Sequence, residues 1–296
     1  MATEVIMKRL LTVFILVGLI VFSLSGCMQF ALRLSPSLFP NLASSVFEEC
    51  DPELAKMSIP SNLKLMEGFL KNDPENKRIL TALSMGFAGY SQLFVEGDDP
   101  TRASALYERA REYGIRALGD KGVFLVDPQA AGLSDLKEAL GRLDRKDFEA
   151  LFWTTLSWNA LISLNLDKPK TLLQMAAAEA CLRRVLELDP LYLHALPHVL
   201  MGASLSARPP LLGGNPEQAR AHFEAALKES GGKFFLTQVY FARYYAVRTQ
   251  DKALFAKVLQ EVVEGDPGGL KDVCLINHVM QQRAKILQKQ MNDLFL

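Results

Sequence analysis

The chain has 296 residues, 49% of them apolar and 22% charged, with acidic and basic residues in equal number. That composition supports a sizeable folded core and excludes a disordered chain. With no net charge and its basic residues scattered, the chain lacks the dense positive surface that phosphate neutralisation requires, so nucleic acid is not a partner.

The elements begin with a targeting segment. Lys8 and Arg9 precede an apolar run from Leu10 to Leu24, which ends in Leu24-Ser25-Gly26-Cys27. A basic start followed by an apolar run reads as a secretory signal, with Met7 as an alternative start. A plain transmembrane anchor is the competing reading, but it calls for about 20 apolar residues. The ending resembles the bacterial lipobox, in which a peptidase cuts before a cysteine whose sulfur carries diacylglycerol. We therefore expect residues 1–26 to be removed and Cys27 to be the lipid attachment site. Two or three acyl chains, at about 0.8 kcal/mol per buried CH₂, make such a tether durable. Met28 stands where an inner-membrane retention signal would place Asp, which favours the outer membrane and a protein facing the periplasm. Cys50, Cys181 and Cys274 then remain. Their odd number and the lack of a C-x-x-C spacing read as buried free thiols, with at most one disulfide.

Residues 27–55 read as a spacer that packs partly against the body, and residues 56–296 as a helical domain. From Pro60 onward the apolar residues recur with helical spacing, and the breaks fall at Asp73-Pro74, Asp99-Pro100, Asp189-Pro190 and Asp266-Pro267. Only Gly122–Asp127, "GVFLVD", reads as briefly extended. A spacing A-x3-F-x2-A marks the second helix of a tetratricopeptide hairpin, where small residues let helices cross. Ala103, Tyr107 and Ala110 fit it, as do Ala178, Leu182 and Val185, then Ala219, Phe223 and Ala226. Phe255, Leu259 and Val262 make a looser fourth copy. The intervals exceed the standard period of about 34 residues, so we expect insertions near residues 119–146 and 207–214. Insertions of this kind commonly lie on the binding face. The predicted fold is all-α: non-uniform tetratricopeptide-like hairpins stacked into one superhelical domain enclosing a cleft or pore.

"ARPPLLGGNPEQ", from Ala207, has two readings. Arg208, Gly213 and Gly214 before a helix could cradle an anion. Alternatively, Asn215 caps a helix that starts at Pro216, Gln218 completes a capping box, and the glycines serve the turn. No Lys-Ser/Thr follows the glycines, which argues against a P-loop. Arg208 remains a candidate for the polar end of a ligand or an acidic group on a partner, with Leu211 and Leu212 covering apolar surface.

His194 and His198 are four apart, but Pro197 intervenes and no Glu follows the first histidine, so structural histidines are the better reading and no metal is expected. Cys274 and His278 share that spacing without the context of a nucleophile, and no catalytic constellation or cofactor motif appears, so the chain does not read as an enzyme. Trp153 and Trp158 project about 140° apart on a helix, so one can pack in the core while the other faces a groove. Tyr240, Tyr244 and Tyr245 raise the same question, as do Tyr90 and Phe94 with Phe87 on the first hairpin. A concave surface of such aromatics would suit a small hydrophobic or amphipathic ligand.

The lipobox, the repeats, "LYERAREYGIRAL", "FWTTLSWNALISL", "RVLELDPLYLHALPH", "RPPLLGGNPEQARAHFEAAL" and "INHVMQQRAKILQKQMNDLF" together resemble one family. It is the T component (TatT) of tetratricopeptide-associated TRAP transport systems, and the likeness runs from about residue 27 to the C-terminus. The resemblance implies an all-helical lipoprotein, a homotrimer, a cleft or pore in each subunit, and hydrophobic or organic-acid ligands. It also implies partnership with the periplasmic solute-binding subunit of the transporter. The family has Asp where Asn215 stands here, and either residue caps a helix. The alternative reading is a general tetratricopeptide lipoprotein that assembles envelope proteins and has no ligand of its own.

Overall fold

A computed structural model describes Met7, residues 38–128 and residues 132–295; the apolar leader and Cys27 lie outside the described residues. Among those described, every regular element is a helix. Helix α1 (Leu38–Phe47) leads into α2 (Pro52–Asn72), whose first turn is capped by Asp51 accepting from the amides of Glu53 and Leu54. Asn76 caps α3 (Lys77–Tyr90), which runs on through a π-helical turn, Ser91–Val95. Asp99 caps α4 (Pro100–Leu118). After α5 (Leu133–Gly141) come α6 (Phe148–Leu164) and α7 (Met175–Leu188). The pair α8 (Tyr192–Ala207) and α9 (Pro216–Ser230) follows. Helix α10 (Phe235–Tyr240) continues through a second π-helical turn, Phe241–Ala246, and the chain closes with α11 (Lys252–Glu264) and α12 (Cys274–Lys289).

Sequential helices pack as hairpins: α3 on α4, α6 on α4 and α7, α8 on α9, and α11 on α12. All four crossing triads are in the core. Ala103, Tyr107, Ala110, Leu182, Val185, Ala219, Phe223, Ala226, Phe255, Leu259 and Val262 are fully buried, and Ala178 nearly so. Close approach is carried further by Gly114 of α4, where an added Cβ would stand 2.1 Å from Thr154 Oγ1 on α6. Each of the four Asp-Pro breaks falls at a helix end, and Asp99 accepts from the Arg102 amide at 3.0 Å.

Two expectations are corrected. Residues 122–127 are not extended: Gly119–Leu125 is a 3₁₀ turn, because Gly119 at φ 61° ends α4 and the chain folds back so closely that a Cβ on Gly122 would meet Ile115 O at 2.6 Å. With no strand beside it among the described residues, an extended segment there would leave its backbone groups unpaired. The reading of free thiols holds for buried Cys181, but Cys50 and Cys274 form a disulfide across 224 residues. Spacing along the chain cannot reveal a pairing made by the packing of two distant segments.

The insertion near residues 119–146 supplies α5, which packs on α7. The Pro197 region departs from helix: Leu193, His194 and Ala195 take left-handed backbone angles, φ 45°, 55° and 60°. Such angles are strained for residues with a Cβ. The turn is held by His194 Nε2, 2.8 Å from Asp272 Oδ2, and by the His194 ring over Phe234.

Candidate axial cavity

Three helices line two cavities. At their N-terminal ends Thr81 and Met85 of α3, Glu149, Ala150 and Trp153 of α6, and Tyr192 and Leu193 of α8 border a cavity of about 490 Å³. At their C-terminal ends Gln92 and Glu96, Asn159 and Ser163, and Ala203 and Ser204 border one of about 50 Å³, which Tyr240 and Tyr244 complete. The same order on all three means that α3, α6 and α8 run parallel, with one cavity at each end of the three helices. Trp153 and Leu156 of α6 are buried between the two, Trp153 bordering the larger and Leu156 the smaller.

The smaller end is built by the two π-helical turns. A π turn inserts an extra residue into a helix and re-aims its side chains, a device frequent at functional sites. The first turn carries Gln92 and delivers Glu96 at its end; the second follows Tyr240 and carries Tyr244. Gln92 Nε2 donates to the Tyr240 hydroxyl at 2.5 Å, and the Tyr107 hydroxyl donates to Glu96 Oε2 at 2.6 Å. Arg283 of α12 braces the turn from behind, donating to the carbonyls of Gln92 and of Leu93, the latter at 3.1 Å. Burial pushes the Tyr107, Tyr240 and Tyr244 hydroxyls above the usual phenol range, and the Glu96 carboxylate adds to this. They therefore stay protonated at neutral pH. Tyr240 accepts from Gln92 and keeps its own proton to donate, Tyr244 is a second donor, and Glu96 is an acceptor. No histidine or cysteine borders this cavity, so what it offers is hydrogen bonding against apolar walls.

Arg208 also borders the smaller cavity, but its guanidinium is engaged. Nη1 meets Glu179 Oε2 at 2.5 Å, Nη2 donates to Ser204 Oγ at 2.8 Å, and Nε donates to the Ser204 carbonyl at 3.0 Å. Burial raises the Glu179 pKa, yet hydrogen bonds from Arg208 and Arg183 outweigh it and the carboxyl lies below its ordinary value. The loop after Arg208 has the expected N-cap, with Asn215 Oδ1 accepting from the Gln218 amide at 3.0 Å and Pro216 at the first helical position, but the Asn215 amide donates to the Leu205 carbonyl at 3.2 Å and not to Gln218, so the capping box is half formed. Leu211 is 97% exposed and Leu212 half exposed, both away from the cavities.

The other aromatic candidates are dispersed. Trp153 is buried and borders the larger cavity. Trp158, also buried, donates to Gln174 Oε1 at 2.7 Å under the Arg111 guanidinium and faces a separate cavity. Tyr90 borders an apolar groove between α1, α2 and α3, and Phe94 packs on Tyr90. Three of the residues singled out from sequence, Arg208, Tyr240 and Tyr244, thus converge. Gln92, Glu96 and Asn159 were missed. The signal for the first pair was a polar i, i+4 spacing that brackets the apolar Leu93-Phe94-Val95 inside "YSQLFVEG". His194 and His198 share no metal site: His194 bonds to Asp272, while His198 Nδ1 lies 2.9 Å from His222 Nδ1.

Among the described residues the chain is thus an all-helical body of paired helices, the class of an all-α helical-hairpin protein, with a cavity at each end of α3, α6 and α8. The match to known proteins narrows the class. Residues 48–295 match the family described as the TRAP transporter T-component, and the chain belongs to that family. It is also 24% identical over 272 residues to an uncharacterized protein of Treponema pallidum (strain Nichols), a similarity covering 84% of this chain and 82% of the relative. Membership implies an accessory role in TRAP transport, association with such a system and a location in the cell envelope. No helix among the described residues is long and apolar enough to cross a membrane.

Proposed function

We propose that this protein is a lipid-tethered, non-enzymatic T component that holds a small amphipathic ligand in its axial cavities and docks the solute-binding subunit of a TRAP transporter. The observation that carries the reading is the pair of cavities at opposite ends of α3, α6 and α8, since a carrier needs an enclosed space for its ligand whereas a peptide scaffold needs only an open groove. The hydroxyls of Tyr240 and Tyr244 with Glu96 meet the polar end of the ligand, and Trp153 and Leu156 border its apolar part. The exposed Leu211-Leu212 turn is a docking element for the subunit. Cys27 ties the protein to the outer membrane on its periplasmic side, and three copies assemble into a homotrimer.

Two variants separate the roles. Ala203→Trp fills the smaller cavity and should reduce the small molecules that co-purify, read by mass spectrometry of the extracted protein, while leaving capture of the purified solute-binding subunit intact. Leu211→Ser with Leu212→Ser should do the reverse. If the parent carries no small molecule but still captures the subunit, the protein is a scaffold without a ligand of its own. If it captures no subunit, the proposed partnership fails.

A further inference from the structure

The Cys50–Cys274 disulfide has a third member. Cys274 opens α12, and His278 stands one turn later on the same helix, so its imidazole projects beside the sulfur. Cys50 reaches the pair from the short link between α1 and α2. A ring nitrogen of His278 and both sulfurs lie within 4.8 Å of one another. His278 is half-buried and has no hydrogen-bond partner among the described residues, whereas His194, His198 and His222 are each engaged.

Two thiolates and one imidazole are a ligand set for Zn²⁺, which takes sulfur at about 2.3 Å and nitrogen at about 2.0–2.1 Å. Tetrahedral bonds of those lengths put the donor atoms about 3.5–4 Å apart. Once reduced, the two sulfurs are free to take up that spacing. Cys274 is fully buried and fixed on α12, so the movement falls to Cys50, which is exposed and lies in the link. Exposed disulfides are also the ones that reductants reach.

We propose that Cys50, Cys274 and His278 form a redox-gated site for Zn²⁺ or a similar borderline-soft cation. A dithiol reduces the disulfide: two electrons and two protons pass to the sulfurs, and the dithiol leaves as its own disulfide. The two thiols then lose their protons as they bind the metal, His278 binds as the neutral imidazole, and the fourth position stays open to water. The link between the N-terminal helix and α12 is thereby kept by either a covalent bond or a metal. The site is independent of the ligand-carrying role proposed for the axial cavities.

The test uses the mature chain, reduced with a dithiol, desalted under nitrogen and titrated with Co²⁺. The reduced protein should take up one equivalent with a thiolate-to-cobalt charge-transfer band and a tetrahedral ligand-field spectrum, both abolished by Zn²⁺. The oxidised protein should give neither. Reduced His278→Ala should bind more weakly by at least roughly 10-fold, and reduced Cys50→Ser should lose the charge-transfer intensity of one thiolate. Oxidised His278→Ala, which keeps the disulfide, should match the parent by circular dichroism. A reduced, folded protein without the cobalt spectrum overturns the site, as does His278→Ala binding as tightly as the parent. Should reduction alone melt the helices, reduction in the presence of Zn²⁺ replaces the titration. Retained helix that a chelator then abolishes supports the site, and melting despite Zn²⁺ overturns it.

Discussion

Gln92 and Tyr240, 148 residues apart, are joined by a buried hydrogen bond of 2.5 Å that links the two π-helical turns beside the smaller cavity. It fixes both the shape of the smaller cavity and the direction of the hydroxyl that faces it. Tyr240→Phe leaves the Gln92 amide buried without this acceptor and should cost about 1–3 kcal/mol. Adding Gln92→Leu should cost less than the sum of the single changes, a coupling of about 0.5 kcal/mol or more. Urea denaturation of the four proteins checks this.

Arg208 and Leu211 sit three residues apart and should behave oppositely. The Arg208 side chain is 4% exposed and holds Glu179 and Ser204, so Arg208→Ala should destabilise by about 1.5–3 kcal/mol. Arg208→Lys should recover only part of this, because an ammonium cannot reproduce the guanidinium fork. Leu211→Ser should stay within about 0.5 kcal/mol of the parent. Thermal melts distinguish the three.

Removing the disulfide should lower stability by about 2–5 kcal/mol, since it closes a long loop across 224 residues. The comparison is a denaturant titration with and without a dithiol in a metal-free buffer. Cys50→Ser should melt like the reduced parent and be insensitive to the reductant. Cys181→Ala should remain sensitive.

Stability should also fall in mild acid. Burial first, then the neighbouring His198 and Arg183, hold His222 at about 4 against an ordinary 6.5, and burial lowers His198 as well. An unfolded chain takes up these protons near pH 6.5 while the folded one refuses them. Stability is therefore full above about pH 6.5 and declines toward about pH 4, by at most about 1.4 kcal/mol per unit for each histidine. His222→Gln should flatten that decline in melts recorded from pH 7 to pH 4.

Ala219 and Ala226 are fully buried at the crossing of α8 and α9, and Gly202 of α8 packs on Phe223. Ala219→Phe should cost about 1–3 kcal/mol through overpacking, read as a lower melting temperature.

Helices, their ends and their crossings were legible in the residues themselves, because those features are local. The Asp and Asn caps, the prolines at first positions and the small-large-small triads each act within a turn or two, and every such triad is in the core. The apolar leader and the lipobox-like Cys27 were equally local, though they lie outside the described residues. What tertiary structure decided is what distant segments do to one another. Cys50 and Cys274 meet only when the α1–α2 link packs on α12, and Gln92 finds Tyr240 only where the two π turns come together. Arg208 is similarly committed by Glu179, 29 residues earlier on α7, a partner no local spacing marks. The register of each helix follows from side-chain periodicity, but which side chains share a cavity depends on how the helices are placed around it. Two π turns shift that placement by a residue each, a change that a 3.6-residue period does not foresee.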